Sequence, residues 1–249
     1  MKRIFLSVVN MIMRIAESAL WDDVYELEAK LKNAKDISGI ALIVGEFVTL
    51  METESHAFIS LPNYTTSEIK LIITNYADDW SNQYLYEKFF DNDPLIDYTK
   101  HNVGPQAWNG FPSASVFHAA KPYGLIDGFI KPTTLQTGPT SAFILARSMD
   151  PITKNELREK SPFINYFTEM LHDKIREIFS KKGLSLPGVT PLRISHLSLK
   201  KAGFTAKEAG KQLHRSPSTI EDSITKLGKA LNADGNKRIL GEATNRYLI

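Results

Sequence analysis

Cysteine is absent from the 249-residue sequence. Its absence excludes disulfide bonds, cysteine-ligated zinc, iron–sulfur clusters and thiol nucleophiles, and it is compatible with the reducing cytoplasm, where we expect the protein to reside. The stability of the fold must therefore come from burial of hydrophobic residues, which make up 43% of the chain. This length and composition suit one large domain or two ordinary domains with packed cores.

Long apolar runs are also lacking. No stretch approaches the roughly 18 uncharged apolar residues that a transmembrane helix requires, so no membrane association is expected. Lys2 and Arg3 followed by the apolar segment 4–9 resemble the start of a secretory signal, but Asn10 and Arg14 interrupt the apolar run. Apolar residues recur there at helical spacing, which favours an amphipathic helix.

Common catalytic motifs are missing as well. The six histidines form no H-E-x-x-H metal pair, and the sequence has neither a G-x-S-x-G nucleophile elbow nor a P-loop. We therefore expect no catalysis, no metal and no cofactor.

Positive charge is concentrated in the last quarter of the chain. Residues 191–249 carry eleven basic and five acidic side chains, a net charge of +6, whereas residues 1–190 carry nineteen basic and twenty-three acidic ones, a net charge of −4. A basic segment suits a polyanionic partner such as DNA, although a solvated basic surface has the same composition. The motifs within the segment have to decide between the two.

A hinge is predicted between these two parts. Apolar residues at helical spacing indicate a helix over residues 162–182, and Gly183 can take the left-handed conformation that ends it. A further proline and glycine before Thr190-Pro191 favour a linker. The predicted organisation is an N-terminal domain at 1–182, a linker at 183–189 and a C-terminal domain at 190–249.

Four segments of the N-terminal part have the pattern of buried or half-buried strands, and helical patterns lie on either side of them. This order predicts an α+β domain, an α-β-α sandwich with a mainly antiparallel sheet. The C-terminal domain is predicted to be all-α. The predicted strands are residues 39–47, 56–61, 127–135 and 141–148.

Capping signals in the C-terminal part predict short helices. Thr190 is a typical N-cap before a proline, and Thr205 and Glu208 have the spacing of a capping box. Ser216-Pro217 caps the next helix. Two short helices joined by a turn form a helix-turn-helix, whose second helix lies in the DNA major groove, although any three-helix bundle can show this spacing. The predicted DNA-binding residues, which would read base edges or contact phosphates, are Thr205, Lys211, Arg215, Ser216, Ser218, Thr219, Asp222, Ser223, Lys226 and Lys229.

A set of short motifs recurs in fixed order along this segment: Val189-Thr190-Pro191, Gly203-Phe204-Thr205, Glu208-Ala209, Leu213, Ser216, Thr219-Ile220 and Leu231. In this order and spacing, residues 189–249 resemble the LuxR-type helix-turn-helix. The sequence departs from that pattern at Leu192-Arg193, at Gly210, where an alanine is usual, and at Ser223, where a histidine or tyrosine is usual. The resemblance implies that the domain binds double-stranded DNA as a homodimer, with a final helix at 237–248 that mediates pairing.

Aromatic residues gather in one region of the N-terminal part. Tyr76, Trp80 and Tyr84 are spaced by four residues, which predicts one stripe on a helix, continued by Ile69, Ile72 and Ile73. Most such stripes belong to a core. Here, however, Asp93-Pro94 and Trp108 follow, and a buried carboxylate is costly unless it is paired with a donor. The pattern therefore indicates a polar binding site among aromatic rings.

Trp80, Tyr84, Asp93-Pro94 and Trp108, followed by Tyr123-Gly124-Leu125, Gly128-Phe129 and Pro132, resemble the signature of the autoinducer-binding domain of LuxR-type quorum-sensing receptors, and Tyr76 matches a further pocket tyrosine. The resemblance implies a ligand-responsive transcriptional regulator whose signal is an N-acyl homoserine lactone. In that reading Trp80 donates to the lactone carbonyl and Asp93 accepts the amide N–H. Tyr84 or Tyr76 donates to the acyl carbonyl, and Trp108 packs against the lactone ring.

The resemblance leaves the identity of the signal open. Leu95 is apolar where some relatives place a hydroxyl, so a different signal is an alternative. A regulator that binds DNA without any ligand and an enzyme that hydrolyses the lactone are two others. The retained Trp80, Tyr84 and Asp93 argue against the first of these two, and the missing catalytic motifs against the second. The acyl tail is predicted to end among Ile40, Leu42, Val44, Phe58, Phe143 and Leu145.

Overall fold

The structure is a computed structural model that describes residues 2–61, 70–133, 140–184, 186, 188–213, 215–246 and 248–249. The helices are α1 (Lys2–Asn33), α2 (Ile37–Leu50), α3 (Asp78–Tyr86), α4 (Pro94–His101), α5 (Ser115–Ala120), α6 (Lys154–Leu184), α7 (Pro191–Lys201), α8 (Ala206–Leu213), α9 (Pro217–Leu231) and α10 (Asn236–Asn245). The strands are β1 (Ser55–Leu61), β2 (Lys70–Thr74), β3 (Gln106–Ala107), β4 (Asp127–Thr133) and β5 (Thr140–Arg147). Three short 3₁₀ turns lie at Phe89–Asp91, Trp108–Gly110 and Lys121–Tyr123.

The described residues form two compact units. The first is drawn from Met1–Phe58, Ile73–Pro132 and Ala142–Lys174, and the second from Ile59–Ile72, Thr133–Ser141 and Ile175–Ile249. The boundaries proposed from the sequence, with a linker at 183–189, stay a prediction. Within the described residues, every helix is too short or too polar to cross a lipid bilayer.

One five-stranded sheet organises the N-terminal part, in the order β2-β1-β5-β4-β3. The short β3 pairs antiparallel with β4, so that Ala107 lies opposite Phe129. Three aromatic rings join this sheet to helices: Phe47 of α2 and Phe167 of α6 stack with centroids 3.9 Å apart, and Phe143 of β5 lies 6.1 Å from each. Full burial of such a ring stabilises the fold by about 1.5–3 kcal/mol. The predicted α+β domain with an antiparallel sheet is confirmed.

The prediction of a strand at residues 39–47 was wrong, because these residues lie in α2. Asp36 caps this helix, its Oδ1 accepting from the Gly39 N–H at 2.8 Å. Residues 39–45 form a continuous apolar run, and such a run fits a buried strand and a buried helix equally well. One side of α2 is buried, while Leu42 on the other side is 75% exposed, so Leu42 is also wrong as a tail-lining residue. The other predicted strands correspond to β1, β4 and β5.

The aromatic stripe predicted on one helix is also interrupted. Ile72 and Ile73 belong to β2, and Tyr76 lies between β2 and the start of α3, so only Trp80 and Tyr84 share a helix. Ile69 lies outside the described residues. The spacing of the aromatic residues by four predicted a helix here. The isoleucines instead lie in the sheet, because β2 pairs with β1.

The predicted helix starts of the C-terminal part are confirmed. Thr190 caps α7, and Ser216 caps α9 by accepting from the Thr219 N–H at 3.2 Å. The capping box forms as expected: the Thr205 N–H donates to Glu208 Oε2 at 2.8 Å, and the Glu208 N–H donates to Thr205 Oγ1 at 3.3 Å. The four helices α7–α10 enclose a small core that includes Leu197, Ile220, Ile224, Leu227, Leu231 and Ile239.

The turn between α8 and α9 explains why residue 210 is a glycine and not the usual alanine. The Arg215 N–H donates to the Gly210 carbonyl at 2.8 Å, which closes the turn between α8 and α9. A Cβ at Gly210 would lie 2.5 Å from the Arg215 carbonyl oxygen, closer than real side chains allow. The tight turn therefore favours glycine at this position.

Candidate functional site

Trp80 and Tyr84 lie one turn apart on α3 and share an aromatic environment. Their ring centroids are 5.8 Å apart in an edge-to-face arrangement. Tyr123, at 5.5 Å, and Phe89, at 5.9 Å, contact the ring of Trp80 as well. Trp80 is only 4% exposed. Edge-to-face and tilted ring pairs of this kind fix the orientation of each ring, so the indole is held in place before any ligand arrives.

Asp93 lies beside these rings and is 6% exposed. It is the N-cap of α4: its Oδ1 accepts from the Leu95 N–H at 2.8 Å, and its Oδ2 accepts from the Tyr84 hydroxyl at 2.8 Å. Burial raises the pKa of Asp93 above its usual range, and these hydrogen bonds oppose the rise. Each carboxylate oxygen has two lone pairs, so Asp93 can accept a further N–H donor.

Tyr76 reaches the same place from the segment before α3. Burial raises its pKa, and the negative charge of Asp93 adds to the rise, so the two groups interact electrostatically. The neighbouring Asn75 anchors this segment to β1: its Oδ1 accepts from the His56 N–H and its Nδ2 donates to the Glu54 carbonyl, both at 2.7 Å. The pKa of Tyr84 is raised by burial, by the charge of Asp93 and by its hydrogen bond to that residue. We call Tyr76, Trp80, Tyr84 and Asp93 the aromatic–acidic cluster.

Trp108 forms the first residue of a 3₁₀ turn, directly after β3. It is 6% exposed and stacks on Phe117 of α5 with centroids 5.9 Å apart. The structure therefore brings four of the five predicted ligand-binding residues into one cluster and places the fifth, Trp108, against Phe117.

Two aromatic residues in contact with Trp80 were not among the predicted site residues. Phe89 lies in a 3₁₀ turn, and the hydroxyl of Tyr123 donates to Gln83 Oε1 at 3.0 Å. The Tyr123-Gly124-Leu125 motif was a sequence signal for the second, since Gly124 adopts the left-handed φ of 76° that ends its turn.

Asp93 also borders a groove of about 570 Å³, which Phe90, Pro94, Tyr98 and Phe111 help to line.

Of the residues predicted at the end of the acyl tail, all but Leu42 are buried: Ile40, Val44, Phe58, Phe143 and Leu145. Among the described residues, no three His, Asp or Glu side chains converge as metal ligands.

The predicted DNA-binding residues are distributed over the position before α8, α8 itself, the turn after it and α9. Ser223 is 8% exposed and lies on the buried side of α9 with Ile220 and Leu227, because its position falls on the helical repeat of the core, so it is the one buried member of the set. Asp222 and Lys226 form an exposed ion pair at 2.7 Å. Thr205 and Ser216 serve as helix caps. The exposed candidates are Thr205, Lys211, Arg215, Ser216, Ser218, Thr219, Asp222, Lys226 and Lys229.

Comparisons with known proteins place the chain in a family. The family described as autoinducer binding domain matches residues 38–175, which is more than half of the chain and includes the whole aromatic–acidic cluster. The transcriptional activator protein LuxR of Aliivibrio fischeri is 29% identical over 120 residues, which cover 45% of this chain and 48% of the relative. The protein of the same name from Aliivibrio fischeri strain ES114 is 23% identical over 223 residues, 86% of this chain and 89% of the relative. The chain thus spans about half the length of the first relative and most of the second.

Solved structures share the fold. SdiA of Escherichia coli has a TM-score of 0.65 at 16% identity, with coverage of 92% of this chain and 98% of SdiA. The N-acylhomoserine lactone dependent LuxR family transcription factor CepR2 of Burkholderia cenocepacia has a TM-score of 0.59 at 13% identity, covering 65% of this chain and 98% of CepR2. The matched domain and the relatives show that the chain belongs to the LuxR family.

Proposed function

We propose that the protein binds an N-acyl homoserine lactone, or a neutral acylated signal close to it, at the aromatic–acidic cluster and controls transcription by binding operator DNA. The observation that carries this proposal is the buried carboxylate of Asp93, set among aromatic rings with lone pairs left for a donor. A regulator of this kind acts as a homodimer in the cytoplasm.

The polar head of the signal supplies one amide N–H and two carbonyl oxygens, which match the groups of the cluster. Asp93 accepts the amide N–H, and Trp80 donates its indole N–H to the lactone carbonyl. The hydroxyl of Tyr84 already donates to Asp93, so Tyr76 is the better donor for the acyl carbonyl. A hydrogen bond between neutral groups contributes about 1 kcal/mol and one to a charged group about 1.5–3 kcal/mol.

The acyl tail contributes affinity in proportion to its length, at about 0.8 kcal/mol for each buried methylene. The head therefore fixes orientation, and the tail supplies much of the binding free energy. SdiA has been solved in complex with octanoyl-rac-glycerol, in a structure that matches this chain with a TM-score of 0.63 at 14% identity. Octanoylglycerol has an ester instead of an amide, so it offers Asp93 no N–H and is a useful comparison ligand.

The C-terminal residues 190–249 are proposed to bind DNA as a helix-turn-helix made of α8 and α9. Ser218, Thr219 and Asp222 are exposed near the start of α9, where base edges are read. Lys226 and Lys229 follow on the same helix and suit phosphate contacts. The net charge of +6 in residues 191–249 favours this surface as the polyanion-binding one. The final helix, α10, is proposed to mediate pairing.

Thermal unfolding with matched ligands tests the signal assignment. A ligand that binds only the folded state raises its melting temperature. We expect octanoyl homoserine lactone to raise it more than octanoylglycerol at the same concentration, because only the lactone offers an amide N–H to Asp93. Homoserine lactones with short, medium and long acyl chains then define the preferred tail, and mass spectrometry of extracts from the purified protein identifies the retained compound. If no acyl chain changes the melting temperature, the regulator binds DNA without such a ligand.

A further inference from the structure

The carboxylate of Asp127, at the start of β4, accepts four N–H groups and is 4% exposed. Its Oδ1 accepts from the backbone N–H of Gly128 at 2.8 Å and of Asn109 at 3.2 Å. Its Oδ2 accepts from Asn109 Nδ2 and from the backbone N–H of Ile152, both at 2.7 Å. Both oxygens are needed for this set, and an amide in place of the carboxylate supplies only one acceptor.

Asn109 completes the arrangement because its Nδ2 also donates to the Ile152 carbonyl at 2.7 Å. We call Asp127, Asn109 and Ile152 the Asp127 clasp. The clasp joins the 3₁₀ turn Trp108–Gly110 to the start of β4 and to the segment before α6. It holds the backbone of the residue that directly follows Trp108, and the stack on Phe117 holds the Trp108 ring itself. The position of this indole is therefore fixed from both sides.

The polar atom of this fixed ring is buried but has no acceptor. Among the described residues, none places an acceptor within hydrogen-bond distance of Trp108 Nε1. A buried donor without a partner is rare in native proteins, because burial removes it from water without compensation. A site that binds an acceptor atom of a ligand needs a donor held in a fixed position. The hydrogen bonds around Asn109 hold the Trp108 donor in this way.

We propose that Asp127 and Asn109 are positioning residues that hold the indole N–H of Trp108 ready for an acceptor oxygen of the bound signal. The inference rests on the proposed function, and it adds that the signal presents a further acceptor to Trp108, such as the ring oxygen of the lactone, besides the carbonyl oxygens assigned to Trp80 and Tyr76. Packing of Trp108 against the ligand needs only the ring, whereas this role needs the N–H.

The indole ¹H–¹⁵N resonances of the full-length protein test the role of the N–H. Trp21, Trp80 and Trp108 are the three tryptophans, so Trp108→Phe and Trp80→Phe assign the signals. On saturation with a lactone that raises the melting temperature, we expect the Trp108 resonance to move downfield, as a donor does when it gains an acceptor. If the lactone binds and this resonance stays in place, the inference is wrong while the proposed function stands. If no lactone binds the wild-type protein, both fail.

Affinity measurements test the positioning role. We expect Trp108→Phe, which keeps a smaller aromatic ring but removes the donor, to weaken lactone binding by at least about fivefold. Asn109→Ala should weaken it similarly, and the double variant should lose no more than either single one, because Asn109 acts through Trp108. Asn33→Ala, which removes an exposed amide bound to the Ala29 carbonyl on α1, is the matched control and should bind normally.

Additive losses in the double variant would show that Asn109 is only structural and would overturn its positioning role. If Asn109→Ala does not fold, Asn109→Ser, which keeps a shorter polar side chain, takes its place in the same cycle. A Trp108→Phe variant with wild-type affinity also overturns the inference, whatever the behaviour of the clasp variants.

Discussion

Replacement of Asp93 by asparagine is the sharpest test of the aromatic–acidic cluster, because it removes the charge with almost no change of shape. In the structure, Oδ1 caps α4 by accepting from Leu95, and Oδ2 accepts from Tyr84. Asparagine is as good an N-cap as aspartate, so its carbonyl can keep the bond to Leu95. The amide nitrogen then takes the place of Oδ2 and turns a donor toward Tyr84 and toward the signal.

The expected magnitudes follow from this geometry. Binding loses a hydrogen bond to a charged acceptor and places two N–H groups face to face, a cost of about 2–3 kcal/mol, or a dissociation constant about 30- to 150-fold higher. Folding should change little, since the cap is kept and a costly buried charge is removed. Asp93→Asn thus separates signal binding from stability.

Titration calorimetry with a lactone that stabilises the wild-type protein gives the dissociation constants, and thermal unfolding without ligand gives the stability. Asp97→Asn is the matched control, since Asp97 lies on the same helix with a side chain that is 78% exposed. The pH dependence adds a second readout. The raised pKa of Asp93 means that the carboxylate is lost as pH falls through that value, so wild-type affinity should decrease in acid while Asp93→Asn stays level. Equal affinities of wild type and variant at neutral pH would refute the assignment of Asp93.

Three further predictions concern stability and DNA binding. Burial lowers the pKa of His56 to about 4, so the folded state keeps it neutral and loses stability as pH falls below 6.5. Between pH 7.5 and 5 this loss is about 2 kcal/mol of unfolding free energy, and His56→Gln should lack it in urea titrations at both pH values; an identical loss in the variant would contradict the prediction. Gly128→Ala should cost about 3 kcal/mol, because its Cβ would lie 1.9 Å from the Leu145 carbonyl oxygen of the neighbouring strand, and an unchanged melting temperature would disprove this spacing. Lys226→Ala should weaken operator binding and reduce the salt slope by about 1, as measured by fluorescence anisotropy at several salt concentrations; an unchanged slope would remove this lysine from the interface.

Features that depend on neighbours in sequence were predictable. The caps at Thr190 and Ser216 and the box of Thr205 and Glu208 join residues only three positions apart, so the sequence alone determines them. The spacing of Trp80 and Tyr84 by four residues likewise predicted that they lie on one helix. The acidic residue among aromatic rings was predicted to mark a binding site because an isolated buried carboxylate is unfavourable in any fold.

Tertiary packing decided the rest. Residues 39–45 are apolar throughout, so the sequence fits helix and strand alike; in the structure they lie in a helix whose Phe47 packs against Phe167 of α6 and Phe143 of β5. Ser223 carries a polar side chain, but it is buried because it occupies a core position of the helical repeat of α9. The Asp127 clasp joins residues 18 and 25 positions away from Asp127, and no local pattern encodes such hydrogen bonds. They form only because the sheet brings the 3₁₀ turn, β4 and the segment before α6 together, and long-range packing of this kind cannot be derived from the spacing of residues in one chain segment.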